Sequence, residues 1–115
     1  MMAVELDIRK ALELWRTTFV EGVRMAGPDL TARQLALLLT VYLAPPPHTV
    51  RGLAATLHVS KPAITRALDR LSQLGLLRRQ RDETDRRNVF VERTAKGTAY
   101  LNDLGGRIAA AARVL

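Results

Sequence analysis

A mainly helical domain carrying one small β-hairpin is what the 115-residue sequence predicts. Two observations predict it. Apolar residues recur every three or four positions through most of the chain, the period of a helix face. One short segment, Val89 to Glu92, alternates with a period of two and follows a densely charged stretch, as a half-buried strand beside a turn does. Composition agrees: 48% of residues are apolar, yet there are only one Trp, two Tyr and two Phe, so Leu, Val, Ile and Ala must build the core.

The first helix is predicted over Val4 to Ala26, with an apolar stripe at Ile8, Leu12, Trp15, Phe19 and Val23, and Gly27 and Pro28 stop it. Thr31, with Gln34 three residues on, opens a second helix through a capping box. That helix, with Leu35, Leu38, Leu39 and Tyr42, is apolar nearly all round and is expected to be central. Pro45 to Pro47 form a stiff connector. Thr49 caps a short helix whose Val50, Leu53, Ala54 and Leu57 face inward. The break at "HVS" follows, and Ser60 caps the next helix, where Pro62 is tolerated because first-turn amides have no intrahelical acceptor. This helix is expected to bury Ile64, Leu68 and Leu71 and to end at Gly75. Two strands follow, near Leu76 to Arg81 and Arg87 to Glu92, joined by the acidic turn "DETD". Thr94 caps a last helix with Leu101, Leu104, Ile108, Ala111 and Leu115 at heptad-like spacing. Gly105 and Gly106 within it should each cost about 1 kcal/mol relative to Ala, or else permit close contact with another helix.

Charge narrows the function. The net charge is +7, and between Arg51 and Lys96 eleven basic residues face five acids. No acid occurs from Leu30 to Leu68. Such a field attracts polyanions, so nucleic acid is the first partner to consider. The absence of Cys excludes thiolate chemistry and disulfides. No apolar run is long enough to span a membrane and no export signal stands at the N-terminus, so a cytoplasmic protein is expected. Two isolated histidines argue against a metal site, and neither Ser60 nor any Thr has a base and an orienting group beside it. No enzyme, metal or cofactor is predicted.

Two short helices joined by a tight turn, the second capped by Ser60 and bearing Lys61, Thr65, Arg66 and Arg70 on its outer face, form a helix-turn-helix. Ala54 would sit where the helices cross, Val59 under the turn, and His58 at a turn position with positive φ that usually prefers Gly. A hairpin placed directly after such a recognition helix is a wing. Its tip can reach the neighbouring minor groove, where an arginine gains from the negative potential of narrow A·T-rich stretches. In this reading Asp85 holds Arg87 in place, because residues two apart on a strand share a face.

The run "LAATLHVSKPAITRALDRLSQLGLLRRQRDETDRRNVFVERTAKG" closely resembles the multiple antibiotic resistance regulator (MarR) family of bacterial transcription factors. "VSKPAITRALDRL", "LGLLRR" and the wing pattern Asp85, Arg86, Arg87, then Thr94 and Gly97, are its most specific parts. The resemblance implies a winged helix-turn-helix in a homodimer that binds a pseudo-palindromic operator in double-stranded DNA, most simply as a repressor. It places Ser60, Lys61, Pro62, Ala63, Thr65 and Arg66 on the recognition helix, Arg87 in the minor groove, and Asp85 beside it as support. Arg93 departs from the pattern, which has an apolar residue there, so an exposed or acid-paired strand end is expected. A small aromatic effector is what the family suggests.

The expected division is an N-terminal dimerisation helix over 1–30, the winged unit over 31–93 and a C-terminal dimerisation helix over 94–115, arranged as one unit. The stripe of the first helix and the seam of the last exceed what one small winged helix needs, so a second copy is expected to cover them. Arg51, Arg78 and Arg79 are expected on the DNA backbone or in solvent, and Arg86 on a phosphate. Trp15, Tyr42 and His48 are the candidates for a ligand pocket, although core packing for Trp15 and Tyr42, and an idle loop position for His48, explain them more simply. Two alternatives share the fold: a protein-interaction module, disfavoured by the uniform charge, and an RNA binder, disfavoured by the lack of exposed stacking aromatics.

Overall fold

The computed structural model describes residues 5–115; the expected helix start at Val4 lies outside them. Five helices and three strands follow in the order α1 (Ile8–Arg24), α2 (Ala32–Leu43), β1 (His48–Thr49), α3 (Val50–Leu57), α4 (Lys61–Gln73), β2 (Leu77–Arg81), β3 (Val89–Arg93) and α5 (Ala95–Arg113). The chain divides into two units, one formed by the residues up to Asp29 with Leu101–Leu115, the other by Leu30–Tyr100.

In the larger unit the capping box is formed. Thr31 Oγ1 accepts from Gln34 N at 3.1 Å, and Thr31 N donates to Gln34 Oε1 at 2.9 Å. Leu37, Leu38 and Val41 of α2 are fully buried, in a core that also holds Leu53 of α3, Ile64, Leu68 and Leu71 of α4, Leu76 ahead of β2, Leu77 of β2 and Val91 of β3, and α2 packs on α4 and β3. Each such side chain contributes about 1.5–3 kcal/mol by leaving water, so α2 is the central post that the sequence predicts. α4 closes with Leu76 N donating to Leu71 O at 2.9 Å and Gly75 N to Ser72 O at 3.0 Å. This paired closure needs a left-handed residue, and Gly75 supplies it at φ +74.

The sheet corrects one expectation. It has three strands, in the order β1-β3-β2, all antiparallel, rather than two. His48 pairs with Val91 and Thr49 with Phe90, so the segment after the prolines clamps the inner strand of the hairpin. Across the hairpin Leu77 faces Arg93 and Arg81 faces Val89.

In the smaller unit, Asp7 caps α1 by accepting from Lys10 N at 2.8 Å. The core position expected for Trp15 is not found: its side chain is 63% exposed, its ring stacked on Phe19 with centroids 5.0 Å apart. The reason is rotational. The covered face of α1 carries Ala11, Leu14 and the buried Thr18, about 100° around the helix from the stripe. Ile8 and Val23 on that stripe are 84% and 76% exposed. On α5, Leu104 and Ala111 are buried while Ile108 is exposed, as is Leu115 beyond the helix end, so only part of the heptad seam is covered.

Candidate nucleic-acid interface

Thr49 Oγ1 accepts from Gly52 N at 3.0 Å and starts α3. At the turn His58 takes φ 55, ψ 43, a left-handed conformation that costs a non-glycine residue about 1–2 kcal/mol. Val59 N donates to Ala54 O at 3.1 Å, and Ala54 is buried where the helices cross. Ser60 Oγ then accepts from Ala63 N at 3.2 Å and aims the first turn of α4 outward. Ser60, Lys61, Pro62, Thr65, Arg66 and Arg70 are exposed on one face, whereas Ile64, Ala67, Leu68 and Leu71 are buried on the other. Ala63 belongs to the buried set, at 6% exposed. It stands on the recognition helix as expected but lies one turn before Ala67 on the inner face, so its methyl packs into the core and is not on the exposed face.

The wing tip is ordered by its own carboxylates. Asp82 accepts from Thr84 N at 2.9 Å and Thr84 Oγ1 at 2.7 Å, and the Thr84 hydroxyl, then its amide, hold the Asp82 carboxyl below its ordinary range. Asp85 Oδ1 accepts from Arg87 N and from Arg87 Nε, each at 3.1 Å, while Oδ2 accepts from Arg87 Nη2 at 3.3 Å. The Arg87 guanidinium, followed by its amide, lowers the Asp85 pKa, and the Arg51 charge adds to this. The pairing is not made on a strand as expected. β3 begins only at Val89, and Asp85 reaches the amide two residues on in a turn closed by Asn88 N donating to Asp85 O at 2.9 Å. A short acidic side chain bonding its own backbone is turn chemistry. The resulting fork fixes the base of an arginine whose side chain is 80% exposed.

The model of the MarR family matches residues 29–88, just over half of the chain and all of the helix-turn-helix and wing tip. The chain belongs to the MarR family. Solved structures agree. The chain is similar to the transcriptional regulator Tm0710 from Thermotoga maritima, at 25% identity over 89% of this chain and 66% of that one, TM-score 0.67. It is also similar to a mutant MarR from E. coli solved with operator DNA, at 27% identity over 91% and 69% of the two chains, TM-score 0.68. YusO from Bacillus subtilis is 26% identical over 93% and 71%, TM-score 0.69.

Other basic residues of this MarR-family chain sort by their partners. Arg78 donates to Glu92 Oε1 through Nε at 3.2 Å and Nη2 at 3.0 Å, and Arg79 Nη2 lies 2.8 Å from Asp69 Oδ1. Both are thus held by carboxylates on the protein surface. Among the described residues, the side chains of Arg51, Lys61, Arg66, Arg70, Arg81 and Arg86 make no ion pair or hydrogen bond. Arg81, exposed at the end of β2, is not among the site candidates that the sequence offers. Strand alternation places it on the face of Arg79 at the tip end of β2.

Tyr42, Arg93 and His48 form a separate cluster beneath the wing. Arg93 is paired with no acid. Its Nε donates to Val41 O at 3.1 Å, its Nη2 reaches Ala44 O at 3.5 Å, and its guanidinium lies 5.6 Å from the Tyr42 ring centroid. It covers the last carbonyls of α2, which is what a cation at a helix C-terminus does. His48 Nε2 lies 3.1 Å from Ala44 O and lines an open pocket of ≈ 290 Å³ with Val41, Pro46, Pro47, Phe90 and Arg93. Trp15 lies in the other unit. Among the described residues no three metal-ligating groups gather, and no helix is long and apolar enough to cross a membrane.

Proposed function

We propose that the chain is a sequence-specific regulator of transcription that binds a pseudo-palindromic duplex as a homodimer. The observation that carries this reading is the exposed face of α4 beside a wing whose Arg87 is already forked onto Asp85. Lys61, Thr65 and Arg66 stand near the start of the recognition helix, where a helix entering the major groove meets base edges. Arg51, Arg70, Arg81 and Arg86 have charges free to meet phosphates. Arg87 is the minor-groove group. Arg78 braces the two wing strands through Glu92, and Arg79 ties β2 to α4 through Asp69.

Surface that one copy leaves uncovered supports the dimer. Ile8, Leu12, Trp15 and Val23 form a continuous exposed apolar stripe, larger than the scattered apolar residues of ordinary surfaces. A second copy with the same stripe buries both by two-fold symmetry and sets two recognition helices about one DNA turn apart, roughly 10 base pairs. A reader of this kind acts by occupying its site, so repression is the simplest output.

Arg66→Ala tests the assignment. Loss of a base contact costs about 1–3 kcal/mol on the selected site and relaxes preference at one position, while random duplex is affected far less. Equal weakening on selected and random duplex would remove Arg66 from the base readers.

A further inference from the structure

One part-buried cluster has no part in the contacts assigned above. The Tyr42 hydroxyl, at the last turn of α2, accepts from Thr94 N at 2.9 Å and has Thr94 O at 2.9 Å and Leu76 O at 3.2 Å as acceptors. Thr94 Oγ1 in turn donates to Gly75 O at 2.7 Å and accepts from Gly97 N at 2.9 Å. Two side-chain hydroxyls thereby gather the exit of the recognition helix (Gly75, Leu76), the exit of the wing (Thr94) and the first turn of α5 (Gly97). The gathering is close: a Cβ on Gly97 would overlap both Tyr42 Oη and Leu76 O. Arg93 lies over the same ring and bonds the α2 carbonyls beside it.

We propose that Tyr42 is a positioning residue for DNA reading, its hydroxyl clasping Thr94 so that recognition helix and wing meet the duplex as one rigid reader. The inference rests on the function proposed above. Its physical basis is the route by which helix and wing are connected. α4 passes into β2 through Gly75, whose left-handed backbone is a natural pivot, and β3 leaves the wing at Thr94. The clasp ties these two points to each other and to α2. A wing held in this way has its ordering cost met before binding, so the Arg87 contact delivers its full value; a loose wing must be ordered as it binds.

Tyr42→Phe keeps the ring that packs under Arg93 and removes only the hydroxyl. The variant is expected to fold and to bind its selected duplex about tenfold more weakly, equivalent to about 1.4 kcal/mol. The readout that ordinary destabilisation would not move is the penalty of Arg87→Ala: about tenfold in the otherwise native chain, it should shrink to less than about threefold in the Tyr42→Phe background. A thinner folded population would weaken both proteins alike and leave that ratio unchanged. Thr94 supplies an independent route, since Thr94→Val should reproduce the loss and Thr94→Ser should bind as the native chain does. Amide hydrogen exchange on the free protein reads the clasp without DNA, with faster exchange at Val89 to Thr94 expected in Tyr42→Phe. An unchanged Arg87→Ala ratio, or exchange equal in the two proteins, would overturn the positioning role. Faster exchange in a protein whose native form binds no duplex would uphold the clasp and instead overturn the proposed function.

Discussion

Replacing Gly97 by Ala is the sharpest test of how the winged unit is held together. The added methyl would overlap Tyr42 Oη and the Leu76 carbonyl oxygen. One of these is backbone, so the chain at Leu76 must shift as well as the tyrosine, which releases its bonds to Thr94 N and Thr94 O. Overpacking of this kind costs about 1–3 kcal/mol, and each of the two hydrogen bonds lost adds about 1 kcal/mol. Ala in place of Gly within a helix returns up to about 1 kcal/mol. The net expectation is a loss of about 2–5 kcal/mol, a large share of the total stability of a domain this size. Thermal unfolding followed by circular dichroism at fixed protein concentration should show the midpoint falling by roughly 10 °C or more. Gly22→Ala is the control, because its added methyl meets only the end of the Arg107 side chain at 4.0 Å, and it should hold or raise the midpoint. A fall of less than about 3 °C for Gly97→Ala would mean that the packing around Tyr42 is not what holds this junction.

Other outcomes follow from the wing and the uncovered stripe. Asp85→Ala removes a negative charge near DNA yet should weaken binding, by about fivefold, because the freed Arg87 must be ordered on binding; tighter binding with no coupling to Arg87→Ala in a double-mutant cycle would reduce the wing to a basic patch. The same fork makes a statement about pH: Asp85 has its pKa depressed chiefly by Arg87, so the pairing is present above the ordinary carboxylate range and lost only as pH falls through the lowered value. Affinity titrated from pH 8 to pH 5 should therefore show no step that Asp85→Asn abolishes, and such a step would contradict the assigned fork. Arg81→Ala should flatten the dependence of log affinity on log salt by about 0.9 per chain, while Arg78→Ala, already paired with Glu92, should flatten it much less. Leu12→Asp on the exposed stripe should dissociate the dimer in sedimentation without lowering helix content; an unchanged oligomer would place the interface elsewhere.

Local signals made most of the fold legible. The capping pair Thr31 and Gln34, the caps Thr49 and Ser60, the left-handed His58 and the stop at Gly75 are choices a few residues make among themselves, and they are found where the sequence places them. β1 was not legible, because two residues after a triple proline carry no strand pattern and become a strand only through pairing with Phe90 and Val91. Long-range partners were hidden for the same reason. Tyr42 with Thr94 and Arg93 with Val41 are each 52 residues apart, and no periodicity announces them. Asp85 and Arg87 were paired for the wrong geometric reason, a shared strand face in place of a turn. Ala63 shows the limit of carrying a motif over residue by residue: its position in the recognition-helix run is right, but the i, i+4 relation to Ala67 turns it inward. In the basic set, the residue count was legible while the allocation was not, since Asp69 and Glu92 claim Arg79 and Arg78 only after the sheet has formed.

The central claim is that two copies of this chain read one two-fold-symmetric duplex through paired recognition helices and wings. Its most direct test is the stoichiometry and affinity of the purified protein on a duplex chosen from a random pool, against a scrambled duplex at the same salt concentration. The account predicts two chains per duplex, an inverted repeat among the selected sequences, and binding at least about a thousandfold tighter than to the scrambled duplex. One chain per duplex, or equal affinity for both duplexes, would contradict it.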